Sequence, residues 1–552
     1  MDDLWRTSDW LYHAEGGKHA IFRYRPSIAE NPNDCLVGHM LRITKHDLAL
    51  ANAAVLGVGP VENNLAAKTG YRVKTVLDLK IKSFLFQKSI VQPLLGPCYL
   101  DLPCLALLPA VFCAKLYQHA MASGNIPSSR LQSWETENSN RKCKVANEAI
   151  RATLLRDHTT LVKHPCVKEQ PIAKQHVMSV EIKPKAGYIT SSPLVSPLNR
   201  CKFNCTRYSL QQQLMEKGHI QKGWRKNADQ HDGKIQKSKP FISSSYSPID
   251  LFSGDALRIR TALVDLSSNM QNNFRAFYNG RQIFGEDIIS PSEGEMKDIL
   301  DALLLQSGSS TCDKKINYYT DSNALLLDLI TSVVSRILHR ENLLKNLQTM
   351  QLLDTIDGDG AIRVYDRLVH LCNGSNSQAE EILDDAMLCI DEKKLTEPIK
   401  TAPLCGNNRA TLSPYELPNC PTLHKLVKEI DGFRPNSDID LNATHETCVQ
   451  LVDQLSKEGC IYLLQNWLLS LAMCDVSFFV TFQCIDDEGF DREDRQSTDH
   501  PGVMLYDRKE EPLFDVRTMI QYEVKVIDCD AKPAKKLRSR TKVEDPFQFI
   551  AA

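Results

Sequence analysis

Hydrophobic and polar positions alternate over three short stretches near the start of the chain. Trp10-Leu-Tyr12 leads into Glu15-Gly16-Gly17-Lys18-His19, Ala20-Ile-Phe-Arg-Tyr24 leaves it, and Cys35-Leu-Val-Gly-His-Met-Leu-Arg42-Ile43 follows. That pattern predicts a strand, a tight turn and two further strands. Ala152-Thr-Leu-Leu155 predicts another strand, running into Arg156-Asp157-His158-Thr159. Between Gly294 and Leu353 the period becomes helical: Ile299, Leu303 and Leu304, then Leu325, Leu326, Leu329, Ile330, Val333, Val334 and Ile337 fall on common faces, which predicts packed helices. Asp357-Gly-Asp-Gly360 has no glutamate at the twelfth position, where a calcium loop would need one, and is expected to be a turn. Near the end, Cys474-Asp475-Val-Ser-Phe-Phe-Val-Thr-Phe482 and Val524-Lys-Val-Ile-Asp528-Cys-Asp530 predict two buried strands with carboxylates at their mouths. A buried-strand carboxylate is costly unless it is hydrogen-bonded or faces a cleft, and two of them at a strand end suit a hard divalent cation.

Composition narrows the class. A chain of 552 residues exceeds one hydrophobic core, so two or more lobes are expected. The longest apolar run, Leu102 to Ala114, is broken by Pro103 and Pro109. It falls short of the ~20 residues that span a bilayer, so no membrane partner is expected. The opening Met1-Asp2-Asp3-Leu4-Trp5-Arg6 lacks the cationic start and apolar stretch of a signal peptide, and the 18 cysteines are expected to be reduced thiols of a cytoplasmic or nuclear protein. A net charge of -2 gives no support to nucleic-acid binding. The basic stretch Lys217 to Lys239 mixes Lys222, Arg225, Lys226, Lys234 and Lys237 with glycines and aspartates around Trp224, and is read as a flexible linker within residues 216–246.

Glu181-Ile-Lys183-Pro184-Lys185 is the most informative stretch. Two lysines two residues apart on an extended segment point the same way, and the proline keeps the segment out of a helix interior. They would form a cationic floor for phosphate oxygens, with Glu181 on the same face to orient a lysine or a metal-bound water. The bland reading is a solvated edge strand whose charges discourage pairing.

The longer run Met178-Ser-Val-Glu-Ile-Lys-Pro-Lys-Ala-Gly-Tyr188 strongly resembles the signature of inositol-pentakisphosphate 2-kinases. So do Tyr12-His-Ala-Glu15-Gly16-Gly17, Asp250-Leu-Phe-Ser-Gly254 with Gln271-Asn272-Asn273-Phe274-Arg275, and Val526-Ile-Asp528-Cys-Asp530-Ala-Lys532-Pro-Ala-Lys535-Lys536. These blocks follow the family's order across nearly the whole chain. The resemblance implies an α/β, two-lobed, kinase-like fold of the inositol phosphate kinase type. Residues 1–157 would be an antiparallel-sheet N-lobe with a glycine-rich nucleotide hairpin. Residues 158–552 would be a larger α/β C-lobe carrying the catalytic and metal sites and a helical inositol-phosphate-binding insertion.

It also implies ATP and Mg2+ as cofactors, and phosphorylation of the 2-hydroxyl of inositol 1,3,4,5,6-pentakisphosphate to inositol hexakisphosphate. Glu15, Gly16, Gly17, Arg42, Arg156, Asp157, His158, Glu181 and Arg275 would serve the nucleotide side, with Arg42 in the place of a protein kinase's strand lysine and residues 156–158 at the adenine hinge. Lys185, Asn272, Asn273, Lys532 and Lys536 would bind inositol phosphates. Lys183 would lie between the transferred phosphoryl and the 2-hydroxyl, Asp475 would orient or deprotonate that hydroxyl, and Asp528 with Asp530 would hold magnesium. Lys532 and Lys536, four apart, are expected to share a helical face.

Departures from the family pattern matter too. Plant members end this block with an arginine where Lys536 stands here, which puts a bidentate grip in doubt. Arg207-Tyr208 matches the family, whereas a plant lysine aligns near Ser209. The plant-type structural zinc is not expected, because Arg363 stands where its first histidine would be and no Cys-x-x-Cys follows. Cys405, Cys420, His424, His445 and Cys448 have pieces of ligand spacing but no compact cysteine pairs, and scattered thiols are preferred. A protein kinase is disfavoured because no H-R-D loop precedes a D-F-G. A catalytically inactive inositol-polyphosphate-binding protein is the alternative, and it would need the loss of Lys183, Asp475 or Asp528, all of which are present.

Overall fold

The computed structural model describes residues 7–15, 19–25, 36–55, 82–123, 126, 150–161, 176–218, 241–286, 288, 291–305, 321–388, 445–485, 502–506 and 518–539. The fold is α/β, with two antiparallel sheets and many helices divided between two compact units. The first unit comprises Met1–Phe84 and Asp101–Thr160; the second comprises Leu85–Leu100 and Leu161–Ala552. Residues 85–100 therefore lie in the second unit although they precede Asp157 in the chain.

In the first unit, β1 (Trp10–Glu15), β2 (His19–Tyr24), β3 (His39–Thr44), β4 (Cys104–Leu108) and β5 (Ile150–Arg156) form one sheet in the order β1-β2-β3-β5-β4. The alternation read from the sequence is the cause: Phe22, Leu41 and Ile43 are fully buried and pack with Trp10 onto the core. β3 starts four residues later than the apolar run suggests, because Gly38 takes φ +76° in a turn. Helix α1 (Lys45–Val55) packs against α2 (Ala110–Ala122), whose Phe112 and Leu116 complete that core.

In the second unit, β6 (Met178–Ile182), β7 (Phe274–Tyr278), β8 (Arg281–Phe284), β9 (Ser477–Ile485), β10 (Val503–Tyr506) and β11 (Thr518–Ile527) form a sheet in the order β10-β11-β9-β6-β7-β8. Helix α3 (Arg207–Glu216) is capped by Thr206, whose hydroxyl accepts from the Ser209 N–H. Then come α4 (Ala256–Ser268), α5 (Glu293–Leu305), α6 (Ser322–Arg340), α7 (Leu343–Gln351), α8 (Asp357–Leu371), α9 (Asn376–Ala386), α10 (His445–Asp453) and α11 (Lys457–Met473). The helical period read from residue 294 onward is realised in α5, α6 and α7. Helix α11 is apolar all round, burying Leu463, Leu464, Trp467, Leu468 and Leu469, so it is a core helix; α7 and α8 pack against it.

Asp357-Gly-Asp-Gly360 opens helix α8 and is not a free-standing turn. Lys202 reaches Asp357 at 2.6 Å and Asp359 at 3.2 Å, and this buried charge cluster replaces the cation a calcium loop would hold. Gly360 is required by space: a Cβ there would lie 2.8 Å from Leu194.

Candidate functional site

Strand register gathers the chemistry at one edge of the second unit's sheet. Ile182, the last residue of β6, pairs with Phe478 near the start of β9 and with Phe274 at the start of β7. Ile527, the last residue of β11, pairs with Ser477. Lys183, Asp475, Asp528 and the Gln271–Asn273 turn therefore leave four neighbouring strands at the same edge, from four distant parts of the chain. Lys185 and Asp528 both adopt left-handed backbone conformations, with φ +60° and +61°. For non-glycine residues that costs about 1–2 kcal/mol each, and such strain persists where surrounding contacts over-determine it.

The sequence reading placed Lys183 and Lys185 on one extended strand. In the structure β6 ends at Ile182 and the chain turns at Lys185, so strand alternation does not align the pair. Both still bear on Asp475, whose carboxyl feels their charge. Lys185, Arg207, Lys532 and Lys536 line a cavity of about 270 Å³ together with Asp475, Tyr208, Gln211 and Cys474. Four cations face one carboxylate there, a charge balance suited to a polyphosphate. Lys532 precedes the short 3-10 helix Ala534–Ser539 that carries Lys536, so the two share a cavity and not an α-helical face.

Asp475 accepts from Lys532 Nζ at 2.5 Å although its side chain is 62% exposed. Burial pushes its carboxyl up, but Lys532, Lys185 and Lys183 outweigh that and hold it below the usual carboxylate range. Burial, with repulsion from Lys183, lowers Lys185 to about 8 against the pull of Asp475. A carboxylate held in its charged form is a firm hydrogen-bond acceptor and a weak base, so it is better at orienting a hydroxyl than at removing its proton early.

A buried frame supports the Lys183–Gly187 loop. The Lys183 N–H donates to Asn273 O at 2.9 Å, and Tyr246 Oη donates to Pro184 O at 2.8 Å. Gly187 lies against the Phe252 ring, where a Cβ would come within 2.0 Å, so the Asp250–Gly254 block and the lysine block are parts of one packing unit. The fully buried Gln351 donates to Lys185 O and accepts from the Gly187 N–H.

Asn272 is exposed at the sheet edge, whereas Asn273 is 2% exposed and donates to Tyr208 Oη at 3.2 Å. Its Oδ1 is buried without a hydrogen-bond partner among the described residues. Glu181 pairs with Arg275 at 3.0 Å across β6 and β7. Asp528 is exposed, and Asp530 accepts from Gln87 Nε2 at 3.3 Å. Among the described residues no group of three or more His, Cys, Asp or Glu side chains is arranged for a metal. Two carboxylates at a strand end nonetheless fit magnesium, which takes one or two protein carboxylates and completes its shell with phosphates and water.

In the first unit, Arg42 on β3 lies 3.3 Å from His19 Nδ1, and Arg156 donates to Asp101 at 3.3 Å with His158 beside the same carboxylate. Asp157 is buried in an ion pair with Arg23 at 2.6 Å, and its N–H donates to Gly38 O. Burial and then Arg23 push His13 down to about 4, consistent with a neutral ring beside the guanidinium. The Gly16 and Gly17 turn, the Glu15 side chain, and Cys405, Cys420 and His424 lie outside the described residues. His445 sits 3.0 Å from Pro193 O, and Cys448 is buried.

Arg207 was absent from the expected site, though its match to the family was a signal for it. Tyr246 and Gln351 carry no sequence signal, since a polar residue's burial depends on partners far away in the chain.

Comparison with known proteins identifies the family. An inositol-pentakisphosphate 2-kinase of Arabidopsis thaliana is 24% identical over 369 residues, covering 66% of this chain and 70% of the relative. One from Oryza sativa subsp. indica is 30% identical over 226 residues, covering 40% and 41%, and one from Danio rerio is 24% identical over 284 residues, covering 51% and 45%. The chain thus spans less than half the length of the rice and zebrafish relatives. The family model described as inositol-pentakisphosphate 2-kinase matches residues 12–545, so the chain belongs to the inositol-pentakisphosphate 2-kinase family.

Proposed function

We propose that this chain transfers the γ-phosphoryl group of ATP to the 2-hydroxyl of inositol 1,3,4,5,6-pentakisphosphate, giving inositol hexakisphosphate, on a two-lobed kinase-like fold. The observation that carries the reading is the basic cavity of Lys185, Arg207, Lys532 and Lys536 with Asp475 fixed at its wall. The cations bind substrate phosphates, Asn272 adds a directional contact at the sheet edge, and Asn273 holds Tyr208 and the Lys183 loop behind them. Asp475 accepts from the 2-hydroxyl and aims it, and Lys183 neutralises charge as the phosphoryl group moves. As the new O–P bond forms and the bond from Pγ to the β-phosphate oxygen breaks, ADP leaves and the 2-hydroxyl proton passes to Asp475, which the substrate's gathering negative charge has made more basic.

By the family pattern, Arg42, Arg156, His158, Glu181 and Arg275 are the proposed nucleotide-side groups, together with Glu15, Gly16, Gly17 and Asp157. Asp528 and Asp530 would hold magnesium, which supplies charge neutralisation on the nucleotide phosphates. The test is to incubate purified protein with ATP, magnesium and inositol pentakisphosphate and to resolve the products. Inositol hexakisphosphate is expected. Tight binding of inositol pentakisphosphate without turnover would instead make the chain an inactive polyphosphate receptor.

A further inference from the structure

Gln351 is the last residue of α7 and is 0% exposed. Its Oε1 accepts from the Gly187 N–H at 2.8 Å, and its Nε2 donates to Lys185 O at 2.9 Å and to Met473 O at 3.1 Å. Its main-chain carbonyl accepts from Ser470 Oγ at 2.5 Å. One carboxamide thus spends both donors and an acceptor on two segments: the loop that carries Lys185, and the last turn of α11, two residues before Asp475. Gln348 completes the clamp by donating to Gly187 O at 2.8 Å. An apolar side chain of similar length could fill this core position but would leave the Gly187 N–H and the Lys185 and Met473 carbonyls without this partner, so what the amide adds is directed bonding and not volume.

We infer that Gln351 is a positioning residue for phosphoryl transfer, its carboxamide fixing the Lys185 loop to the end of α11 and so setting the spacing between Lys185 and Asp475. The inference rests on the kinase reading above. Without the clamp, the Lys185 carbonyl loses the bond that Gln351 supplies, the left-handed conformation at φ +60° is less firmly held, and the ammonium is free to shift along the cavity wall that it shares with Asp475.

The test is a double-mutant cycle between Gln351→Met, which keeps length and apolar volume but removes all three side-chain bonds, and Lys185→Met. In the wild-type background Gln351→Met is expected to raise KM for inositol pentakisphosphate and lower kcat by roughly tenfold each, with KM for ATP changed less than about twofold. In the Lys185→Met background it should cost less than about twofold, because the group it positions is already gone. Circular dichroism and a melting curve establish that each variant is folded. Should Gln351→Met fail to fold, Gln351→Glu, which keeps the acceptor facing Gly187, is put through the same cycle. Wild-type kinetics in a folded variant, or equal losses in both backgrounds, overturns the inference. If the wild-type protein makes no inositol hexakisphosphate, the kinase reading has failed separately. The cycle is then read from inositol pentakisphosphate affinity, where additive losses overturn the inference and non-additive ones sustain it.

Discussion

On the proposed mechanism, Asp475 and the lysines around it are where single side chains decide the chemistry. An ion pair with a largely exposed carboxylate contributes little to stability, so the Asp475–Lys532 contact is better understood as placing the carboxylate than as holding the fold. Lys183→Ala is accordingly expected to reduce kcat by at least about a thousandfold with the melting temperature unchanged, because the lost charge matters most in the transition state. Near-normal turnover in that variant removes Lys183 from the mechanism. Lys185 makes a pH prediction. Its folded value of about 8 lies below the ordinary 10.5, so between those values the unfolded chain holds a proton that the folded chain has lost, and stability rises with pH in that window. Binding runs the other way. A polyanion favours charged Lys185 over the repulsion of Lys183, so affinity for inositol pentakisphosphate should fall as pH rises through about 8, with proton uptake on binding. Calorimetry at pH 7 and pH 9 checks this, and Lys185→Arg, which stays charged throughout, should flatten the response.

At the scale of elements, the loop from Lys183 to Tyr188 is shaped by packing that its own sequence does not announce. Gly187 has no unusual φ; it is a glycine because the Phe252 ring occupies the space a side chain would need. Gly187→Ala is expected to destabilise the protein by about 2 kcal/mol and to raise KM for the inositol phosphate, since relief of the clash displaces Lys185. Phe252→Leu in the same chain should recover part of both losses, and the denaturation midpoint together with KM provides the check. The strands were largely legible because alternation and branched side chains report a half-buried or buried sheet directly: β1, β2 and β5 fall close to where the pattern puts them, while β9 begins three residues later than its apolar run and β11 six residues earlier. The helical opening of Asp357–Leu371 was not, because two glycines and two aspartates have poor helix propensity and the compensating cation, Lys202, lies far upstream. Lys185 and Gln351 show the same limit, with backbone conformation and buried polar contacts both set by distant partners.

At the scale of the whole chain, the residue types of the site were readable from their blocks, but their assembly was not, because it depends on strand order. Antiparallel register across β11, β9, β6 and β7 brings Asp528, Asp475, Lys183 and Asn272 to one sheet edge. A cavity wall of lysines and an arginine attracts any inositol polyphosphate, so charge alone cannot choose among isomers of equal phosphate count. On the proposed mechanism selection comes from Asp475, whose oxygen is paired with Lys532 at that wall and would accept from a hydroxyl at the matching ring position. The one pentakisphosphate isomer with a free 2-hydroxyl is therefore expected to turn over at least about a hundredfold faster than the isomers with that position phosphorylated, while all bind within a few-fold of one another. Asp475→Asn should erase most of the rate difference by lowering the fast rate and leave binding of every isomer nearly as it was. Equal wild-type rates across the isomers, or unimpaired turnover in Asp475→Asn, would show that the cavity binds polyphosphate without selecting the hydroxyl that reacts.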